Sequence, residues 1–361
     1  MTQSARNPVK VWDQRGLTLV EIMVAVTLGL ILTAGLIQVF VSNKQAYRVQ
    51  EGLARLQENG RFASDFITRD LRGAGFLGCA GNTTPVVNTL NSAGLLPWNF
   101  ASLIQGSEAT NTTAWNPALD GSIVSALGGR DVLTVRRSVG DAVPVIGQAP
   151  GAPPGSNPIT VALAACPVPP NPLCDFDTPP NPIAMISDCT NAAVFQVTNP
   201  NPSGGTINHA SPGGAAPGNA TTDLGKDFTN TAEVVRLSTI TYYVRQTGTA
   251  SGRPALWHQV GGAAAQELVE GVEDMQIRYG VDADADRVPN QYLQANAVTD
   301  FNNVVSARVD LLLQSIEDNL TNAPPRYTYN GVTCPGGAGC PTDRRYRQVF
   351  GATVGLRNKM L

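Results

Sequence analysis

Charge and histidine are both scarce in this sequence. Asp, Glu, Lys and Arg make up 15% of its 361 residues, against a usual share of about 25%. A surface so short of charge is polar and neutral, as on secreted and cell-surface proteins. The formal net charge is −3, so bulk electrostatics gives no specific nucleic-acid site. There are two histidines, and no H-E-x-x-H, G-x-S-x-G, P-loop or C-x-x-C pattern occurs. His209, in a Pro/Gly/Asn stretch, reads as a solvated loop residue, and His258, in a short apolar run, as a strand residue. A membrane-anchored hydrolase therefore has no site to support it, and the expectation is a non-catalytic protein. Glycine and proline, by contrast, are abundant at 36 and 26 residues. That excludes a mostly helical bundle or coiled coil and calls for many turns and long loops.

Six cysteines, Cys79, Cys166, Cys174, Cys189, Cys334 and Cys340, are scattered and flanked by loop residues. None has zinc-ligand spacing with a histidine. An even, dispersed set favours an oxidising compartment, so the chain should cross a membrane. The start of the sequence says how. Residues 1–16 carry Arg6, Lys10 and Arg15 against Asp13, and an apolar run follows from Leu17 to Val41, broken only by Glu21. About 20 apolar residues span a bilayer as a helix, and the basic flank stays cytoplasmic. The run is too long for the core of an ordinary signal peptide, and no A-x-A site follows it. Glu21 lies one turn into the run, where an ionised carboxylate is costly and marks a functional hypothesis.

Beyond the membrane the helix turns amphipathic. Val49, Leu53, Leu56, Ala63, Ile67 and Leu71 fall on one stripe, with Gly60 in the gap. Glu51/Arg55 and Asp65/Arg69 have the i,i+4 spacing of ion pairs, and Gly73 and Gly75 end the element. The remainder alternates as strands: Met275 to Val281, Val305 to Leu313 and Phe350 to Leu356, with earlier strands at Val132–Arg137, Ile159–Ala164, Ala193–Thr198, Val234–Arg245 and Ala255–Gln259. Twelve prolines between Pro144 and Pro182, and a Gly/Pro/Asn tract from Asn199 to Asn219, predict surface loops that carry no ladder. The expected fold is α+β. One long N-terminal helix, transmembrane then amphipathic, packs on an antiparallel β-sheet head.

The junction Arg15-Gly16-Leu17-Thr18-Leu19-Val20-Glu21 resembles the class III signal of type IV prepilins. The resemblance implies that a prepilin peptidase cuts after Gly16, that the new N-terminus at Leu17 is methylated, and that Glu21 is the assembly charge. Leu17 stands where Phe is commoner. Further stretches resemble the PilW-type minor pilins: Lys44 to Glu51, Arg55 to Phe62, Asp70 to Cys79, Ile186 to Cys189, Val194 to Thr198, Val269 to Gly280, Val304 to Asp310 and Phe350 to Arg357. Residues from about 83 to 183 carry little of that signal. The implied organisation is a leader at 1–16, a membrane and filament-core helix at 17–41, an amphipathic continuation at 42–75, and an extracytoplasmic head at 76–361. The implied function is a structural subunit in pilus assembly or initiation near the tip, supporting adhesion and twitching motility. Its partners would be other minor pilins, the major pilin, a PilY-type tip adhesin, the prepilin peptidase and the inner-membrane assembly platform. It would sit in the inner membrane before assembly and on the pilus at the cell surface afterwards. A J-type pseudopilin of type II secretion shares the signal and plan.

Two features of the head remain. Cys334 and Cys340 bracket a five-residue loop that suits a local disulfide, and Cys166 and Cys174 bracket a Pro-rich segment that suits another. A Cys79–Cys189 bridge would then staple helix to sheet, although three pairings of those four stay open. Asp282, Asp284 and Asp286, with the Val288 carbonyl and Asn290, open like a calcium loop. Arg287 stands where such a loop needs Gly, and Leu293 where it needs Glu. The alternative is a solvated acidic turn. PilW-type chains often carry an Asp-rich turn here, and that resemblance adds to the case for calcium without displacing the solvated turn.

Overall fold

The computed structural model describes residues 16, 18–76, 84–162, 182–198, 205–211, 216–248 and 252–359. A single helix, α1, runs from Leu19 to Gly73. Every residue from Thr18 to Lys44 is exposed, as an apolar helix made for lipid would be. Within this stretch Thr27 and Thr33 donate their hydroxyls back to the carbonyls of Met23 and Gly29, at 2.9 and 2.7 Å. No polar side-chain hydrogen is left for the bilayer to satisfy at those two positions.

From Gly52 onward the chain is one compact unit. Leu56, Gly60, Ala63, Ile67 and Leu71 are buried along one stripe of α1, as the periodicity predicts. Gly60 is required there, because a Cβ would lie 2.3 Å from the Phe350 ring. The stripe also buries Asp70, an acid among apolar residues. Its Oδ2 accepts a hydrogen bond from the Tyr242 hydroxyl at 2.5 Å, and Arg137 pairs with Oδ1 at 3.0 Å. The expected Asp65/Arg69 pair does not form: Arg69 sits 4.0 Å from Asp70 and 5.1 Å from the centre of the Phe66 ring.

The longer strands of the head are β1 (Ile104–Ala109), β2 (Val132–Gln148), β3 (Ile183–Ser187), β4 (Ala192–Gln196), β5 (Glu233–Gln246), β6 (Pro254–Val260), β7 (Gln266–Glu270), β8 (Val272–Val281), β9 (Val304–Gln314) and β10 (Arg347–Gly355). In the large sheet β4, β3, β5, β2 and β1 lie side by side, all antiparallel. One edge of β5 is shared, by β3 in its first half and by β6 in its second. A four-stranded sheet runs Gln291–Leu293, β8, β9, β10, again antiparallel.

Three layers meet in one core. Leu56, Ile67 and Leu71 of α1 pack with Leu133 and Ile240 of the large sheet and with Met275, Ile277 and Val309 of the small one. Asp131 ties the two sheets together. It accepts N–H groups from Ala109 of β1 at 3.2 Å and from Ile277 of β8 at 2.8 Å.

A second core surrounds Phe195, and here the sequence-based expectation needs correction. The Pro/Gly-rich tracts are not merely surface loops. Strand β2 continues through Pro144, which is registered with Glu233 beside a bulge, a place where proline is tolerated. Residues Thr206–Ile207 pair with Ile159–Val161, and Ile207, Leu224 and Phe228 are fully enclosed. His209 is buried rather than solvated. Its Nε2 lies 3.1 Å from the Asn157 carbonyl oxygen, its ring is 5.2 Å from Phe195, and burial lowers its pKa. His258 does lie in a strand, β6.

Candidate functional site

The candidate site begins where α1 begins. Gly16 is exposed, and a Cβ there would meet nothing within 4 Å. Leu17 lies outside the described residues. Thr18 is the cap of the helix and Glu21 its third residue. The Thr18 Oγ1 accepts the Glu21 N–H at 3.2 Å, and a Glu21 carboxylate oxygen accepts both the Thr18 N–H and its hydroxyl at 3.2 Å. This is a reciprocal capping box, at a helix end where the backbone dipole also favours negative charge. The T-x-x-E spacing before an apolar run is the sequence signal for it, a local role for Glu21 beside that of its charge. Glu21 is therefore a helix starter as well as a carboxylate held at the membrane end of the chain.

The acidic turn follows β8. One ligand atom from each of Asp282, Asp284 and Asp286 lies within 4.8 Å of the others. Asp282 is occupied by its own loop: it accepts N–H groups from Asp284 (3.2 Å), Ala285 (2.8 Å) and Arg287 (2.8 Å). These bonds prevail over desolvation and hold its carboxyl below the usual range. Asp286 accepts from the Val288 N–H at 2.8 Å, and Asn290 Oδ1 from the Ala283 N–H at 2.6 Å. Arg287, at the position where glycine was wanted, takes the left-handed backbone at φ +70°. The turn thus forms without glycine, held by side-chain acceptors.

Cys334 and Cys340 are joined by a disulfide. Cys189 is also disulfide-bonded, while Cys79, Cys166 and Cys174 lie outside the described residues, so the Cys79–Cys189 staple does too.

Comparisons with known proteins agree with the two ends of this geometry. Residues 13–37 match the family model of the prokaryotic N-terminal methylation motif, and residues 241–358 match that of type IV pilus-assembly protein W. The second match takes in the C-terminal end of β5 and all of β6 to β10. No curated protein and no solved structure matches the chain. Both families point to a structural rather than enzymatic protein, held by a single inner-membrane span before assembly and working with other pilus components. A methylation motif that opens the apolar helix and a pilus-assembly domain that closes the chain together support a PilW-type minor pilin.

Proposed function

We propose that the protein is a structural subunit at or near the tip of a type IV pilus, where it helps initiate the fibre with other minor pilins and a PilY-type adhesin. Cleavage between Gly16 and Leu17 frees an amine, and α1 passes from the bilayer into the filament. Adhesion and twitching are properties of the fibre that results. The observation carrying this reading is Glu21, placed in the first turn of an exposed apolar helix under a methylation motif. A carboxylate in lipid is costly when alone and rewarded when a cation arrives. The arriving cation is the free amine of an adjacent subunit, which also sets the axial register of the helices.

The capping box makes the test sharper than simple removal of the charge. Glutamine serves in a capping box as glutamate does, so Glu21→Gln keeps the helix start and deletes only the charge. A deletion strain is complemented with Glu21→Gln or with Glu21→Ala, and sheared fibres are assayed for the subunit. Both variants are expected to insert in the membrane and to fail in incorporation. Normal incorporation of Glu21→Gln would overturn the docking role and leave Glu21 a helix cap. For processing, Gly16→Phe is expected to leave the 16-residue leader attached, read by intact mass; an unshifted mature mass would remove Gly16 from the cleavage site.

A further inference from the structure

A cleft of about 180 Å³ lies against the paired strands β1 and β2, bounded by the short turn at Leu96–Trp98 and the loop that carries Leu119 to Ile123. Its lips, Gly94 and Ala118, are exposed, while Gly106, Ser107 and Val132 on its floor are buried. At ~30 Å³ per water this is the room of about six waters, well under the ~300 Å³ of a drug-sized pocket. One sugar ring fills such a space.

Behind one wall lies Arg136, wholly buried, its pKa lowered to about 10 by that burial. Among the described residues no carboxylate pairs with it. Its guanidinium donates instead to the carbonyls of Ser102 and Leu96, both at 2.9 Å, and to Gln105 Oε1 at 3.3 Å. A buried cation without a counter-ion is strongly unfavourable on its own. Two of the three acceptors that compensate it, Leu96 and Gln105, line the cleft, so the charge serves to fix that wall.

The other polar lining groups are oriented too. Asp120 Oδ2 accepts from the Leu96 N–H at 3.0 Å and Oδ1 from the Ser122 N–H at 2.9 Å. Asn99 Oδ1 accepts from the Ala101 N–H at 2.9 Å. Both carboxamides, Asn99 and Gln105, thus have their oxygens engaged and keep their NH₂ donors, while Asp120 keeps spare lone pairs. Leu96, Leu119 and Ile123 add apolar wall. Donors beside an acceptor suit hydroxyl groups, each of which both donates and accepts. An anion would meet Asp120 while Arg136 is already committed, and a cation would find one carboxylate among donors.

We propose that this cleft binds a neutral polyhydroxylated ligand the size of one saccharide ring, held by Asn99, Gln105 and Asp120. Every lining residue precedes residue 135 and lies outside both family matches, so the proposal is independent of the role in assembly. The test uses the full-length protein in a detergent without a sugar headgroup and saturation-transfer NMR. The probes are D-glucose, D-galactose and N-acetyl-D-glucosamine at millimolar concentration, with glucuronate and glucosamine as charged counterparts. At least one neutral sugar is expected to receive saturation, more than its charged counterparts do. Gly94→Phe places a ring in the mouth, and because a Cβ at Gly94 meets nothing within 4 Å the melting temperature should not change. That variant is expected to weaken binding at least about tenfold, the equivalent of one lost good contact. The proposal falls if no neutral sugar receives saturation, if a charged counterpart outcompetes them, or if Gly94→Phe binds as the parent does.

Discussion

Two cores of the head are both tightly enclosed and differently made. Around Met275, Ile277 and Tyr279 the apolar residues sit on long strands, alternate with polar neighbours and meet the stripe of α1. Around Phe195 the strands supply most of the core, and irregular chain adds Val197, Leu224, Phe228 and Ala232. Phe228 is as enclosed as Phe195. What permits this is hydrogen bonding by side chains where no ladder is available. Asn219 bonds both the N–H and the carbonyl of Gln196, at 2.7 and 2.8 Å. Asp227 Oδ1 accepts the N–H groups of Gly151 and Gly155, at 3.2 and 2.6 Å. Polar residues stand in for the ladder and leave apolar ones free to fill the interior.

The comparison breaks if the loop-built part proves soft. Phe228→Ala, on irregular chain, and Phe195→Ala, on β4, should each destabilise the head by about 3–5 kcal/mol, measured by denaturant unfolding of the full chain. A loss under about 1 kcal/mol at Phe228 alone would mean that the tract does not hold this core.

The junction between the two sheets should respond to pH. Burial first, and then the nearby Glu108, raise the Asp131 pKa to about 7, and burial raises Asp274 to about 6. Both groups bind a proton more tightly folded than unfolded. Stability should therefore rise as pH falls from about 8 to about 5, by a few kcal/mol in order of magnitude. Below about pH 4 it should fall, because the folded state holds Asp188 and Asp343 below the usual carboxylate range. Thermal unfolding across that range checks both signs, and a profile flat from pH 5 to 8 would refute the first. Asp131→Asn should flatten that limb.

The regular core should be intolerant of small additions. A Cβ at Gly106 of β1 would lie 2.0 Å from the hydroxyl of Tyr279, a fully buried side chain. Gly106→Ala is expected to cost about 1–3 kcal/mol; an unchanged unfolding midpoint would show that the two sheets can part there. The smallest effect belongs to the acidic turn. Asp282→Ala removes the acceptor of three N–H groups and should lower the melting temperature even in chelator. A drop seen only in calcium would make the turn an ion site rather than a self-sufficient loop.

The legibility of the sequence follows the same division. Periodicity located α1 and the interiors of β8, β9 and β10, because there one element has one wet face and one dry face. The extension of β2 through Pro144 was not legible, since proline normally ends a ladder and the bulge that accommodates it depends on β5. The burial of Ile207 and His209 was equally hidden, because composition marks a segment as a loop without saying what lies beneath it. Nothing local in the sequence sets Asp70 apart from the surface acids of the same helix. Its partners, Tyr242 and Arg137, are distant in sequence and visible only in the fold. At the helix start the opposite held: Thr18 and Glu21 were in plain register, and the local pairing was readable.

On the role in a fibre proposed above, the way α1 enters the head bears on how the protein would carry load. A fibre that is pulled transmits tension along its helices, and here the last turns of the loaded element are themselves part of the core, packed on both sheets and tied through Asp70 to Tyr242 and Arg137. Force along the helix axis would have to slide that whole stripe past its neighbours at once instead of peeling one contact after another. Resistance to such sliding is set by the barrier to unfolding rather than by the equilibrium stability. A head built this way joins its cable by a spliced length and not by a knot at the end.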